Sequence, residues 1–125
     1  MQFGEFINVS VHLDRAGLVW YPEIGDEVAL RQALTQTSIL VDPQGLTPRE
    51  LRASFLWLPT VEQLVQQLEA REAFIYHAGI NAQLAYETVV KCPVGVIETR
   101  AATLRIAFGK ALQELLVSST KSSVH

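Results

Sequence analysis

Tyr76, His77, Tyr86 and Glu87 are the residues whose types and spacing suggest chemistry first. They lie on two β-prone segments, 73–77 and 83–90, with a turn marked at Gly79. A hairpin of these segments sets Tyr76 and Tyr86 on one face and His77 and Glu87 on the other. A histidine beside a carboxylate can move a proton, so the 73–90 hairpin is the candidate ligand-binding site. The plainer reading is a cross-strand pair on a solvated face, which needs no function.

The remaining constellations are weaker. His12, His77 and His125 are far apart and match no metal-ligand spacing. His12 with Asp14 offers two ligands where a catalytic zinc site takes three, so a polar strand end is the ordinary reading. The single cysteine, Cys92, excludes an intramolecular disulfide, and Lys91 beside it is the one cue toward a reactive thiolate. Glu23, Asp26 and Glu27 do not follow the calcium-loop pattern and read as a helix start. The glycines are isolated, so no phosphate-cradling loop is assigned. No catalytic residue, metal site or cofactor is assigned. Trp20, Tyr21 and Trp57 are interface candidates, because aromatic residues are enriched at binding hot spots; otherwise they are core.

Composition narrows the function classes. The 125 residues carry a net charge of −3, with 49% apolar and only 18% charged residues. Such an apolar chain is not disordered, and its balance lacks a nucleic-acid binder's basic excess. Arg100, Arg105 and Lys110 are spread around the last helix rather than forming a basic stripe. The longest apolar runs are far shorter than the roughly 20 residues of a membrane span. The first residues do not read as a secretory signal, which implies a cytoplasmic protein. Few charges on a small domain also suggest a homodimer or another protein partner. The acidic excess lies before Pro59, where four arginines face seven acids.

The elements that must position these residues follow from periodicity. Ile7, Val9, Val11 and Leu13 alternate with Asn8, Ser10 and His12, which predicts a half-buried strand. With 18–21 it would form a first hairpin. Residues 26–34 read either as a helix capped by Asp26, slightly preferred, or as more sheet. A strand is expected over 37–42. Thr47 followed by Pro48 predicts a short helical turn, and 55–58 a short buried strand or the lead-in to the next helix. Thr60 and Gln63 form a capping box before the stripe Val61, Leu64, Val65 and Leu68. The hairpin follows, broken at 91–95, and a last helix is expected over 100–117. The domain is thus 1–117, with 118–125 as a disordered tail.

The second half, through 58–64 and 101–116, resembles small bacterial and phage α+β domains of unknown function. The chain also looks like the antitoxin half of certain toxin–antitoxin pairs, although it lacks the Gly-Tyr and Pro-Asp-Leu-Pro-Gly segments associated with that family. The resemblance covers about half the chain and assigns no functional residue.

The expected fold is α+β: a mostly antiparallel sheet packed by two or three helices, with a second half running helix-strand-strand-helix. The expected function is a non-enzymatic interaction or regulatory protein acting as a homo-oligomer. The alternatives are a small enzyme or ligand binder using the 73–90 hairpin, and an antitoxin-like partner protein.

Overall fold

The computed structural model describes residues 2–122. Its first element overturns an expectation. Residues 6–13 are not a strand but the middle of helix α1 (Gln2–Arg15). Phe6, Val9, Ser10 and Leu13 are buried, whereas Asn8 and His12 are exposed. That burial follows a 3.6-residue period, which Val9 and Leu13 satisfy together with the two-residue one. Packing decided between the periods. A Cβ added to Gly109 would lie 2.7 Å from Val9 Cγ1, so α1 crosses the last helix where no side chain intervenes. Residues 18–21 form no strand, so there is no first hairpin.

The first sheet joins β1 (Glu27–Leu30), β2 (Ala33–Ile39) and β3 (Phe55–Trp57) in the antiparallel order β2-β1-β3. The slightly preferred helix over 26–34 is therefore replaced by a strand, a turn and a second strand. Val28 and Ala29 are neighbours and both are buried. A central strand covered on both faces shows no alternation, so its apolar residues mimic part of a helical stripe. Ala29 faces the main core, while Val28 joins Trp20, Leu40 and Leu51 in a smaller one.

The predicted capping box at Thr60 is present, and the helical turn predicted after Thr47 carries a second one. Thr47 caps α2 (Pro48–Ser54) with Glu50, and Thr60 caps α3 (Val61–Glu69) with Gln63. Thr60 Oγ1 accepts from the Gln63 amide at 3.1 Å, and Gln63 Oε1 accepts from the Thr60 amide at 2.9 Å.

The second sheet is β4 (Phe74–Ile80), β5 (Tyr86–Cys92) and β6 (Gly95–Ala101), antiparallel in that order. Three strands therefore stand where two were expected. Gly79 lies inside β4, and the turn is made instead at Asn81, whose Oδ1 accepts from the Gln83 and Ala85 amides at 3.0 Å. Residues 93 and 94 form a tight hairpin connection, with Cys92 paired to Gly95, rather than ending the sheet. Helix α4 (Leu104–Ser122) starts later than expected, with Thr103 Oγ1 accepting from the Ile106 amide. Of the expected disordered tail, residues up to 122 have a helical backbone, and 123–125 lie outside the described residues.

Among the described residues the chain is thus α+β, with four helices and two three-stranded antiparallel sheets. No helix among them is long and apolar enough to cross a membrane. The main core gathers Leu13, Leu56, Leu64, Leu68, Val90, Phe108 and Leu112 from both halves. Arg105 on α4 ties the halves together. Its guanidinium donates to the carbonyls of Pro59 (2.8 Å) and Leu58 (2.7 Å), pairs with Glu27 Oε1 at 3.1 Å and lies over the Phe6 ring.

Candidate functional site

The second sheet has two unlike faces. Tyr86, Thr88, Val90 and Cys92 point from β5 toward the helices, and Thr88 and Val90 are fully buried. Thr99 Oγ1 donates to the Ala107 carbonyl at 2.7 Å, which leaves Thr88 to donate to Thr99 at 2.6 Å. This relay fastens β5, β6 and α4. Glu87, Val89 and Lys91 point the other way, opposite Arg100, Glu98 and Val96 on β6.

A bulge between Ile75 and His77 decides what β4 adds to this outer face. Beyond the bulge, His77 is opposite Val89 and Gly79 opposite Glu87. The His77 Nε2 to Glu87 Oε1 distance is 4.0 Å, and Arg100 Nε lies 3.4 Å from Glu87 Oε2. The expected His77–Glu87 pairing is therefore present, with Arg100 as a third member that strand β6 supplies. Tyr76, the extra residue of the bulge, lies under Lys91, whose Nζ is 3.8 Å from the ring centroid. Tyr76 thus joins the outer face while Tyr86 stays on the helix side, so the two tyrosines do not share a face. The reason is the bulge, which shifts side-chain parity by one and leaves no trace in residue spacing.

This outer face is open rather than enclosed. Tyr76 is 67% exposed, and a cleft of about 260 Å³ that holds Glu87 and Arg100 is lined by neither tyrosine nor by His77. Tyr76, His77 and Glu87 can meet a partner surface there, but with Tyr86 behind the sheet the four do not converge on one small molecule.

Strand β4 itself is the more unusual feature, and nothing in the candidate set singled it out. It is a sheet edge, and six of its seven residues are exposed. Ile75, Ala78 and Ile80 are opposite Val90, Thr88 and Tyr86, on the side that α4 covers for β5 and β6. Under β4 that helix layer is missing, so Ile75 and Ile80 overhang into solvent. The strand carries no charged residue and no proline. Its counterpart edges differ: β6 bears Glu98 and Arg100, and β2 bears Thr35, Gln36, Thr37 and Ser38. Natural proteins normally guard a long apolar edge with charge, proline or a covering element.

The aromatic interface candidates separate. Tyr21 is 75% exposed. Trp57 is half-buried between the two cores. Trp20 is only 5% exposed and belongs to the small core, where its Nε1 donates to Asp26 Oδ2 at 2.8 Å. Asp26 is accordingly no helix cap. Its buried carboxylate also accepts from the Glu23 amide (2.9 Å) and Gln63 Nε2 (2.8 Å), which compensates its removal from water. His12 Nδ1 donates to the Asn8 carbonyl within α1, and Cys92 Sγ lies 3.4 Å from the Gly95 carbonyl. Among the described residues, no three His, Cys, Asp or Glu side chains gather to hold a metal ion.

No family model, no curated protein and no solved structure matches this chain.

Proposed function

We propose that the chain is a non-enzymatic interaction protein that works as a homodimer through β4. The observation that carries the reading is the uncharged, apolar edge strand, open on both faces and unpaired along one side. An exposed strand edge takes an added strand through main-chain hydrogen bonds.

The occupant is β4 of a second copy. Antiparallel pairing about a two-fold axis normal to the sheet makes one six-stranded sheet with both helix layers on the same side. Ile75, Ala78 and Ile80 of the two copies then meet in the trough between those layers. Neither copy brings an Asp, Glu, Lys or Arg to the contact.

Sedimentation velocity across a wide concentration range tests the proposal. The expected result is a dimer that dissociates in the double variant Ile75→Lys/Ile80→Lys. Both side chains are exposed, so the variant keeps its helical circular dichroism. Val96→Lys, on the opposite edge strand, leaves the dimer intact. A strictly monomeric wild type, or a dimer indifferent to the double variant, overturns the proposal.

A further inference from the structure

A second feature lies away from β4, between α1, the β1–β2 turn, α2 and β3. A pocket of about 260 Å³ opens there, with Ser10, Asp14, Arg31, Arg52, Leu56 and Trp57 among its walls. It is smaller than the usual drug-sized site, so its guest is small. We infer that this pocket binds a small monocarboxylate with an apolar or aromatic body.

Charge sets the sign of the guest. Arg31 is already neutralised: Nη1 and Nη2 donate to the two oxygens of Asp14 at 3.2 and 3.4 Å, and Nε donates to the Arg52 carbonyl at 2.8 Å. Arg52 is not neutralised. Its guanidinium donates once, to the Trp20 carbonyl at 3.1 Å, and no carboxylate pairs with it among the described residues. A guanidinium has five donors in a planar fork matched to a carboxylate. The wall therefore carries one surplus positive charge on a chain whose net charge is −3.

Two further wall residues carry no charge. The Ser10 hydroxyl and the Trp57 indole N–H are buried with no hydrogen-bond partner, and Ser10 is only 2% exposed. Neither atom is open to the pocket, so both residues bound it through the rest of their side chains. Leu56 and the Trp57 ring supply the apolar wall for the body of the guest.

The test uses the full chain with phenylacetate as probe, and benzyl alcohol and phenethylamine as neutral and cationic controls of similar shape. Indole N–H signals are followed by NMR up to about 10 mM ligand, a range that captures millimolar affinity. Phenylacetate is expected to shift the Trp57 signal saturably, and the controls are not. Arg52→Gln weakens binding about tenfold or more, as expected for one lost charge-assisted contact. Arg52→Lys, which keeps the charge and a donor for the Trp20 carbonyl, retains most of it. An equal response to all three probes, no saturable response, or unchanged affinity in a folded Arg52→Gln protein would overturn the assignment. None of these readouts depends on the oligomeric state.

Discussion

The two sheets of this protein have the same number of strands and the same antiparallel pairing, yet they serve opposite ends. The central strand of the first, β1, is buried on both faces and joins two cores. The central strand of the second, β5, is buried on one face only, and its neighbour β4 has neither face covered. The first sheet is therefore an internal partition, and the second is a platform presented outward. The difference arises from helix placement. Helix α4 lies under β5 and β6 and stops short of β4, whereas β1 is enclosed by the main core on one side and by the Trp20–Leu51 cluster on the other.

Breaking the comparison at its sharpest point gives the largest effect. Val28→Asp on β1 buries an unpaired carboxylate and is expected to destabilise by about 4 kcal/mol or more, enough to unfold a marginal domain. The matched change Val89→Asp on the outer face of β5 is expected to cost about 1 kcal/mol, because its charge stays in water. Urea denaturation of the two variants measures the contrast directly; equal losses would mean that the sheets are not differently covered.

A middle-sized effect tests how the two regions are joined. Arg105→Met keeps an unbranched apolar stem but removes the guanidinium that lies over Phe6 and donates to Leu58, Pro59 and Glu27. The expected loss is about 2–3 kcal/mol, with buried carbonyls left unpaired at the β3–α3 junction. Hydrogen exchange is expected to rise on both sides of that junction. Exchange confined to α4 would place the tie elsewhere.

The smallest effect concerns α2, which belongs with the first sheet. The Thr47 backbone N–H, and then its hydroxyl, hold the Glu50 carboxyl below the usual glutamate range. A carboxyl lowered in the folded state contributes stability above its unfolded pKa and loses it as pH falls through the folded value. Glu50→Gln is expected to flatten that acid-side slope and leave stability near neutral pH slightly reduced. Thermal melts between mildly acidic and neutral pH read both. The group is at the surface, so the slope is shallow and weakens with salt.

What was legible differs between these regions for a physical reason. The helix start at Thr47 and the capping box at Thr60–Gln63 rest on local hydrogen bonds, and both appear where the residues placed them. Tyr86 and Glu87 fall on opposite faces as expected, because β5 has one dry face and one wet one. Residues 6–13 did not, since their apolar positions fit two periods and only the close crossing at Gly109 chose the helix. The 26–34 segment did not either, because a strand buried on both faces has no period to read. Within the candidate site, His77 and Glu87 were paired correctly. Tyr76 was misplaced by a bulge, and Arg100 was absent because β6 was taken for part of the break and the start of the last helix.

By itself the sequence determined the α+β class, the capped helices of the middle, the amphipathic β5 and a chain with few charges. These depend on neighbours within a few residues, where backbone preference and side-chain period act directly. Only the tertiary structure decided that α1 is a helix, that β4 is an uncovered edge, and that Ser10, Arg52 and Trp57 wall one pocket. Those outcomes depend on which distant surface lies against each segment. Burial and exposure there are set by packing across the whole chain, which residue spacing does not encode.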